Sequence, residues 1–182
     1  EVCMALSTTN GSELWATPVD DIVAYDGGVG STDDGPRTTP TVDGGSVYVL
    51  TSYLKLLRLN ATNGLVIWSN DLRLTYGGDV IGWQNAASPL VENGLIFLNA
   101  NAGASSLMAL RTTDGSLAWR TQNEAITHTT PVLTMIDGVR AVPAGVRREL
   151  LDTAVPAEGP PSRLTVLLER GSLPIGQAVA LV

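Results

Sequence analysis

Ala5-Leu6-Ser7-Thr8-Thr9-Asn10-Gly11-Ser12-Glu13-Leu14-Trp15 recurs, lightly altered, as Arg58-Leu59-Asn60-Ala61-Thr62-Asn63-Gly64-Leu65-Val66-Ile67-Trp68 and as Ala109-Leu110-Arg111-Thr112-Thr113-Asp114-Gly115-Ser116-Leu117-Ala118-Trp119. In each stretch a Gly stands four residues before a Trp, and the Trp-to-Trp steps are 53 and 51 residues. Self-similarity at a fixed period of this length marks an array of equivalent supersecondary units.

Working outward from the middle copy, Thr39-Pro40-Thr41-Val42-Asp43-Gly44-Gly45 reads as a short strand and a turn, and Ser46-Val47-Tyr48-Val49-Leu50 as a β-rich second strand. Asp-Gly-Gly between two such runs is a hairpin signal. Residues 54–60 form a third strand, Ala61-Thr62-Asn63-Gly64 a second turn and Leu65-Val66-Ile67-Trp68 a fourth strand. The unit is therefore a four-stranded antiparallel meander of about 30 residues, as in the blades of propellers. The next copy runs from Ser88-Pro89-Leu90-Val91-Glu92-Asn93-Gly94 to Trp119, and another opens at Thr130-Pro131-Val132-Leu133 with a turn at Asp137-Gly138. The expected fold is all-β: an incomplete propeller of about three blades' worth of strands. It comprises a half-blade at 1–20, blades at 38–70 and 86–121, and a partial blade at 128–140.

The recurring residues have mechanical reasons. Pro at a strand's start costs no ladder bond. Gly supplies positive φ at the turn, and the Thr or Ser ahead of it can bond back to the turn backbone. Trp15, Trp68 and Trp119 each offer a flat face and one N–H donor, fit to join one blade to the next. Gly11, Gly64 and Gly115 belong to the same docking element. A single blade cannot bury both faces, so stacking is obligatory. WD40 units need Trp-Asp, whereas Ala16, Ser69 and Arg120 follow these three tryptophans. Kelch units share the period but not the Gly-x-x-x-Trp turn, and the strand composition excludes a helical repeat.

The 182 residues have the length of one domain, and 44% are hydrophobic, enough for a sizeable core. Net charge is −7, with 11 basic residues and no dense basic cluster, so nucleic acid is not an expected partner and neither is an anionic membrane surface. No apolar run approaches the ~18 residues of a transmembrane helix. The single Cys3 allows no intrachain disulfide and reads as a small buried hydrophobe. Residue 1 is Glu and already lies in a repeat, with no signal peptide ahead of it, which suggests a cut N-terminus.

The links 19–38 and 72–86 are rich in Gly, Asp and Asn and are expected at a rim or over a central channel, where function usually resides. Residues 141–182 hold no Gly-x-x-x-Trp turn. This divergent tail reads as a short helix at 145–155, broken at Gly159-Pro160-Pro161, and two strands at 163–168 and 177–182. Two accounts of it stay open: a different element packs there, or the segment is foreign to the repeat, as a change of reading frame would make it. Its strands could also pair with the N-terminal half-blade and close a small ring.

The turn Thr/Ser-x-Gly/Asn-Gly-x-x-x-Trp after Ala/Arg-Leu resembles the tryptophan-docking motif of PQQ-like β-propeller repeats, the family of quinoprotein alcohol dehydrogenases and their cofactor-free relatives. Asp34-Gly35-Pro36-Arg37-Thr38-Thr39-Pro40-Thr41-Val42, Trp83-Gln84-Asn85-Ala86-Ala87-Ser88-Pro89-Leu90-Val91 and Thr130-Pro131-Val132 resemble its blade openings. The resemblance covers roughly residues 2–140. It implies a parent propeller of about eight blades, exported to the periplasm or beyond. It also implies either a binding or scaffolding module or, alternatively, part of a dehydrogenase oxidising an alcohol or sugar with PQQ and Ca2+ in the full-length parent. Strand edges left open by an incomplete ring invite edge-to-edge self-association.

A quinone-dependent dehydrogenase needs a carboxylate base, a metal clamp and aromatic stacking. The family's disulfide of adjacent cysteines over the quinone is impossible with one Cys. Asp20, Asp21, Asp33, Asp34 and Asp79 are the candidate carboxylates; they lack EF-hand spacing and read as solvated acidic loops. Arg37, Ala86 and His128 share one place, three residues before the blade-opening Pro; if those loops face the channel, Arg37 and His128 are candidates for an anionic ligand, and otherwise Arg37 binds loop carbonyls and His128 is a polar loop residue. Trp83 stands outside the repeat pattern and is a candidate for stacking on a ligand or for anchoring its loop. His128 is the single His, and no Ser or Cys lies in a nucleophile context, so hydrolase readings fail. No complete active site, no catalytic residue and no metal ligand is assigned; the expected partner is an unidentified protein or small molecule.

Overall fold

The computed structural model describes residues 1–21, 36–80, 84–102, 105–121, 128–136, 139–145 and 178–181. A two-stranded sheet, β1 (Val2–Leu6) and β2 (Glu13–Pro18), is followed by two four-stranded antiparallel meanders. The first is β3 (Thr41–Asp43), β4 (Ser46–Leu50), β5 (Lys55–Asn60) and β6 (Val66–Asp71); the second is β7 (Leu90–Glu92), β8 (Leu95–Ala102), β9 (Ser105–Arg111) and β10 (Leu117–Thr121). Next come β11 (Thr134–Ile136), β12 (Val139–Gly145) and β13 (Ala178–Leu181) in a three-stranded sheet. The expected strand plan of a partial propeller is therefore the observed one.

Both first hairpins close with two consecutive positive-φ residues, Gly44 and Gly45 (51° and 76°) and Asn93 and Gly94 (50° and 76°). That is the type I′ geometry whose twist matches antiparallel strands. The Gly-bearing turns are superimposable in their bonding. Gly11, Gly64 and Gly115 donate to the carbonyls of Ser7, Asn60 and Arg111 at 2.8, 2.8 and 2.9 Å. The side chain just ahead of each Gly, Asn10, Asn63 or Asp114, accepts from the N–H two residues on at 3.1, 3.1 and 2.9 Å. The capping group is thus an Asx side chain immediately before Gly, in place of the expected Thr or Ser.

Each copy also carries a β-bulge at one place. Ala5 faces Trp15 while Leu6 faces Glu13, Arg58 faces Trp68 while Leu59 faces Val66, and Ala109 faces Trp119 while Leu110 faces Leu117. One extra residue, Leu14, Ile67 or Ala118, therefore precedes each Trp. A bulge bends a strand and re-aims the next side chain; here it turns the indole out of its own sheet toward the neighbour.

The core lies between sheets. Cys3, Val19, Val47, Val49, Leu57 and Leu59 fill the first junction, with Trp15 packed on them. Tyr48, Leu50, Leu56, Ile96, Leu98, Met108 and Leu110 fill the second, with Trp68. Phe97, Ala109 and Val142 form the third, with Trp119. Because β4 is covered on both faces, all five of its residues are buried, so it shows no in-out alternation.

Three differences from the sequence reading stand out. The link 72–86 contains a helix, α1 (Leu72–Tyr76), capped by the Asp71 carboxylate and ended by left-handed Gly77. The last blade-like strand runs on through Gly145, past the expected break at Ala141, so residue 145 is strand and not helix. Of the expected strand at 177–182, residues 178–181 are present as β13, which pairs in parallel with Val142–Gly145 of β12 and not with the half-blade. The proposed helix beyond 145 and the strand at 163–168 lie outside the described residues.

Candidate functional site

Two of the three repeated tryptophans bond to a neighbouring sheet. Trp15 Nε1 donates to the Ala61 carbonyl and Trp68 Nε1 to the Thr112 carbonyl, both at 3.0 Å. Each acceptor lies three residues before the Gly of the following blade. A Cβ placed on Gly64 would sit 2.6 Å from Trp15 Cε3, and one on Gly115 would sit 2.9 Å from Trp68 Cζ3. Glycine is thus required twice over: φ is +73° and +72°, and the indole occupies the space a side chain would need.

A second donor accompanies each docked indole. Thr17 Oγ1 donates to the Gly64 carbonyl at 2.7 Å and Asn70 Nδ2 to the Gly115 carbonyl at 3.0 Å. Both stand two residues after a Trp, on the same side of the strand. The signal was in the sequence, as a polar residue at Trp plus two in every copy (Thr17, Asn70, Thr121), but it is chemically variable and easily passed over.

At the opposite ends of the first strands a hydroxyl belt links the blade openings. Thr39 N–H donates to Ser88 Oγ at 2.8 Å, and Ser88 N–H to Thr130 Oγ1 at 3.0 Å. Each of these residues precedes the opening Pro. Arg37, Ala86 and His128 stand two residues further upstream, at corresponding places on three successive openings, with Arg37 and His128 exposed and Ala86 partly covered. The blade opened at Ala86 separates the other two. Trp83, Asp33 and Asp34 lie outside the described residues, and Asp79 is exposed.

The inter-blade links converge beside this belt. Thr51 Oγ1 donates to Asp20 Oδ2 at 2.7 Å and accepts from Lys55 N–H at 3.0 Å. Asn85 N–H donates to the Ser52 carbonyl at 3.0 Å, and Asn85 Nδ2 to the Ala87 carbonyl at 3.2 Å. Leu54 and Gln84, both buried, hold positive φ of 64° and 62°, a conformation that costs a non-Gly residue about 1–3 kcal/mol and needs support from its surroundings. A shallow cleft of about 180 Å3 opens there, lined by Asp20, Asp21, Tyr53, Asp71 and Arg73. The Arg73 guanidinium lies over the Tyr53 ring at 5.9 Å, and the Asp71 carboxylate is engaged by the α1 amides at 3.0 and 3.1 Å. The cleft offers mixed charge on a polar rim. Among the described residues no group of three or more His, Cys, Asp or Glu side chains gathers as a metal site. Cys3 is buried in the first junction, and that burial raises its thiol pKa, which keeps it a packing residue. Among the described residues no helix is long and apolar enough to cross a membrane.

Comparison with known proteins agrees with this architecture. BamB from Moraxella catarrhalis superposes with a TM-score of 0.53 at 16% identity, over 79% of this chain and 40% of that one. Quinohemoprotein alcohol dehydrogenase from Comamonas testosteroni superposes with a TM-score of 0.50 at 22% identity, over 65% of this chain and 18% of that one. At such identities the likeness is one of fold. The chain spans about two-fifths of the BamB length and under a fifth of the dehydrogenase. No curated protein sequence gives a significant match. The family model described as outer membrane protein assembly factor BamB matches residues 1–153, which include the half-blade, both whole blades and β11–β12, and the chain thereby belongs to this family of PQQ-like β-propeller repeat proteins.

Proposed function

We propose that this chain is an arc of a PQQ-like propeller that works as a binding or scaffolding module on the periplasmic side of the cell envelope, with a protein as partner. One observation carries the reading: in the first two junctions the repeated Trp, Gly and Trp-plus-two residues are consumed in holding blade to blade. Chemistry toward a ligand then falls to the rim, where corresponding positions hold Arg37, Ala86 and His128, which share no reactive group. The matching family model is that of an assembly factor, which supports a macromolecular partner. The cleft at Asp20, Tyr53 and Arg73 is small and polar, as suits a contact with another protein's surface better than enclosure of a cofactor.

The fold likeness to a quinohemoprotein alcohol dehydrogenase keeps one rival reading, a segment of a quinone-dependent oxidase of alcohols or sugars. The two part on one experiment. The full propeller containing this arc is incubated with PQQ and Ca2+, then assayed for quinone absorbance and for dye reduction with alcohols and sugars. Absence of both is expected. Quinone retention with dye reduction overturns the scaffold reading. Photo-crosslinkers at positions 37 and 128 test it from the other side, with adducts to another envelope protein expected.

A further inference from the structure

We propose that Asn93-Gly94 is a site of spontaneous deamidation, and that isoaspartate formed there loosens the seat of Trp68 in the second junction. The reactive pair is what the turn itself requires. Asn93 and Gly94 hold φ of 50° and 76°, the two left-handed residues of a type I′ hairpin, and Asn-Gly is a favoured filling of that turn. The reaction needs only water. The Gly94 backbone nitrogen loses its proton and attacks Asn93 Cγ, a C–N bond closes a five-membered succinimide, and the side-chain nitrogen leaves as ammonia. Water then opens the ring at either carbonyl. One opening leaves aspartate at position 93. The other leaves isoaspartate, in which the main chain runs through Cβ and Cγ and is one carbon longer.

The sequence holds three Asn-Gly pairs, at 10–11, 63–64 and 93–94, and the structure sets the last apart. At the first two, the Asn Oδ1 accepts from the N–H of Ser12 or Leu65, both at 3.1 Å. The Gly N–H at these pairs is committed to the carbonyl of Ser7 or Asn60, both at 2.8 Å. Electrophile and nucleophile are each held by another partner, and attack requires both bonds to break. Gly64 is also buried beneath the Trp15 indole, away from the solvent base that must take its proton. Asn93 and Gly94 are both exposed, and among the described residues neither the Asn93 side chain nor the Gly94 N–H has a hydrogen-bond partner. The corresponding hairpin of the preceding blade has Gly44 in the place of Asn93, so it has no amide there to lose.

This hairpin braces a docking seat. The Gly94 carbonyl accepts from Thr112 N–H at 2.9 Å and from Thr112 Oγ1 at 3.1 Å. The Thr112 carbonyl in turn accepts from Trp68 Nε1 at 3.0 Å and from Arg58 Nη1 at 3.1 Å. The preceding blade repeats the relay, with Ala61 N–H donating to the Gly45 carbonyl and Trp15 Nε1 to the Ala61 carbonyl, both at 3.0 Å. An extra carbon in the chain between Asn93 and Gly94 breaks the type I′ geometry and displaces the Gly94 carbonyl. Thr112 then loses the two bonds that fix its own carbonyl in front of the indole. The first junction has the same relay behind Gly44 and Gly45, and it escapes this damage.

Ageing the 182-residue chain in mildly alkaline buffer, followed by peptide mapping with electron-transfer mass spectrometry, tests the site. Position 93 should convert at least about tenfold faster than positions 10 and 63, where two hydrogen bonds must break first. Isoaspartate should be the main product. Its added negative charge lets anion exchange separate the reacted chain. In that chain the Trp68 indole N–H should exchange with solvent faster than in the fresh protein, with the Trp15 indole unchanged. Asn93→Gly, which copies Gly44, should keep Trp68 protected through the same ageing. Freshly prepared Asn93→Asp should also keep it protected, since it adds the charge without lengthening the chain. Conversion at position 10 or 63 as fast as at 93 overturns the proposal. So does an isoaspartate-bearing chain whose Trp68 indole exchanges at the fresh rate.

Discussion

Gly64→Ala is the perturbation that weighs the blade junction most directly, because Gly11→Ala is its built-in control. The two glycines share φ of +73°, so each substitution incurs the left-handed penalty of about 1–2 kcal/mol. Gly11 has nothing within 4 Å of the added methyl, and its cost stops there. At Gly64 the new Cβ falls 2.6 Å from both Trp15 Cε3 and Thr17 Oγ1. That is about 1 Å inside the contact distance for carbon, so the indole and the hydroxyl must retreat. Their bonds to the Ala61 and Gly64 carbonyls, 3.0 and 2.7 Å, are then lost or stretched. At about 0.5–1.5 kcal/mol for each bond, Gly64→Ala should cost about 1–3 kcal/mol more than Gly11→Ala. In urea, with a slope near 2 kcal/mol/M, the two midpoints should differ by roughly 0.5–1.5 M. Tryptophan emission reports the transition, with Trp15 as the displaced ring. Equal midpoints would refute the claim that Gly64 is a docking seat, because the shared backbone penalty would then account for the whole effect.

Three further outcomes follow from the same geometry. Trp68→Phe removes the bond to the Thr112 carbonyl but does not orphan it, since Arg58 Nη1 also donates there at 3.1 Å; the loss should be small, about 1–2 kcal/mol in a chemical melt, and should grow when Arg58→Met is added. Asp71→Ala removes the carboxylate that accepts from the Arg73 and Leu74 amides, so it should cost about 1 kcal/mol and raise hydrogen exchange at those two amides first. Asp114 has its pKa lowered, chiefly by the Ser116 backbone N–H, then by the Ser116 hydroxyl and the Arg111 charge. A depressed carboxylate contributes stability above its unfolded pKa, and the contribution fades as pH falls below about 3.8 through the lower folded value. Asp114→Asn, which installs the amide that Asn10 and Asn63 already provide in the sister turns, should leave the neutral-pH melt unchanged and flatten its acid limb. A melt that moves at pH 7 would count against the Asx-turn role.

What could be read from the chain follows from what it repeats. Asp43-Gly44-Gly45 and Glu92-Asn93-Gly94 carry the turn chemistry that positive φ at two successive residues demands, so the first hairpins were legible. The Gly-x-x-x-Trp turns were legible because three copies keep one spacing. The bulge before each Trp was not, because Leu14, Ile67 and Ala118 share no side-chain chemistry, and a bulge is a property of strand pairing. Helix α1 has five residues and no copy among the described residues, so neither period nor repetition marked it. Asp71 four residues upstream of Thr75, with Gly77 after Tyr76, was its only local signal. β12 passes Ala141 because Ala141 is buried and Val142 packs into the third junction, and burial there outweighs the loss of repeat character.

The same contrast separates structure from function along the chain. A side chain that recurs at one place in successive blades is being asked for the same thing each time, and the thing common to all blades is the next blade. Trp15 and Trp68, Gly64 and Gly115, and the hydroxyls of Ser88 and Thr130 all meet that description, and each is bonded or packed across a junction. Recognition of a partner breaks the symmetry of the array, so its residues must stand where the copies differ. Arg37, Ala86 and His128 differ completely at one shared position, and so do the turn at 51–54, α1 and the strained Gln84, which have no repeated counterpart in sequence. On the proposed function, specificity is expected on the link-bearing rim. On that reading, exchanging Arg37 for Ala, and Ala86 for Arg, should change which photo-crosslinked adducts form at the rim, while the Trp-to-carbonyl bonds at 3.0 Å, which involve neither residue, stay in place.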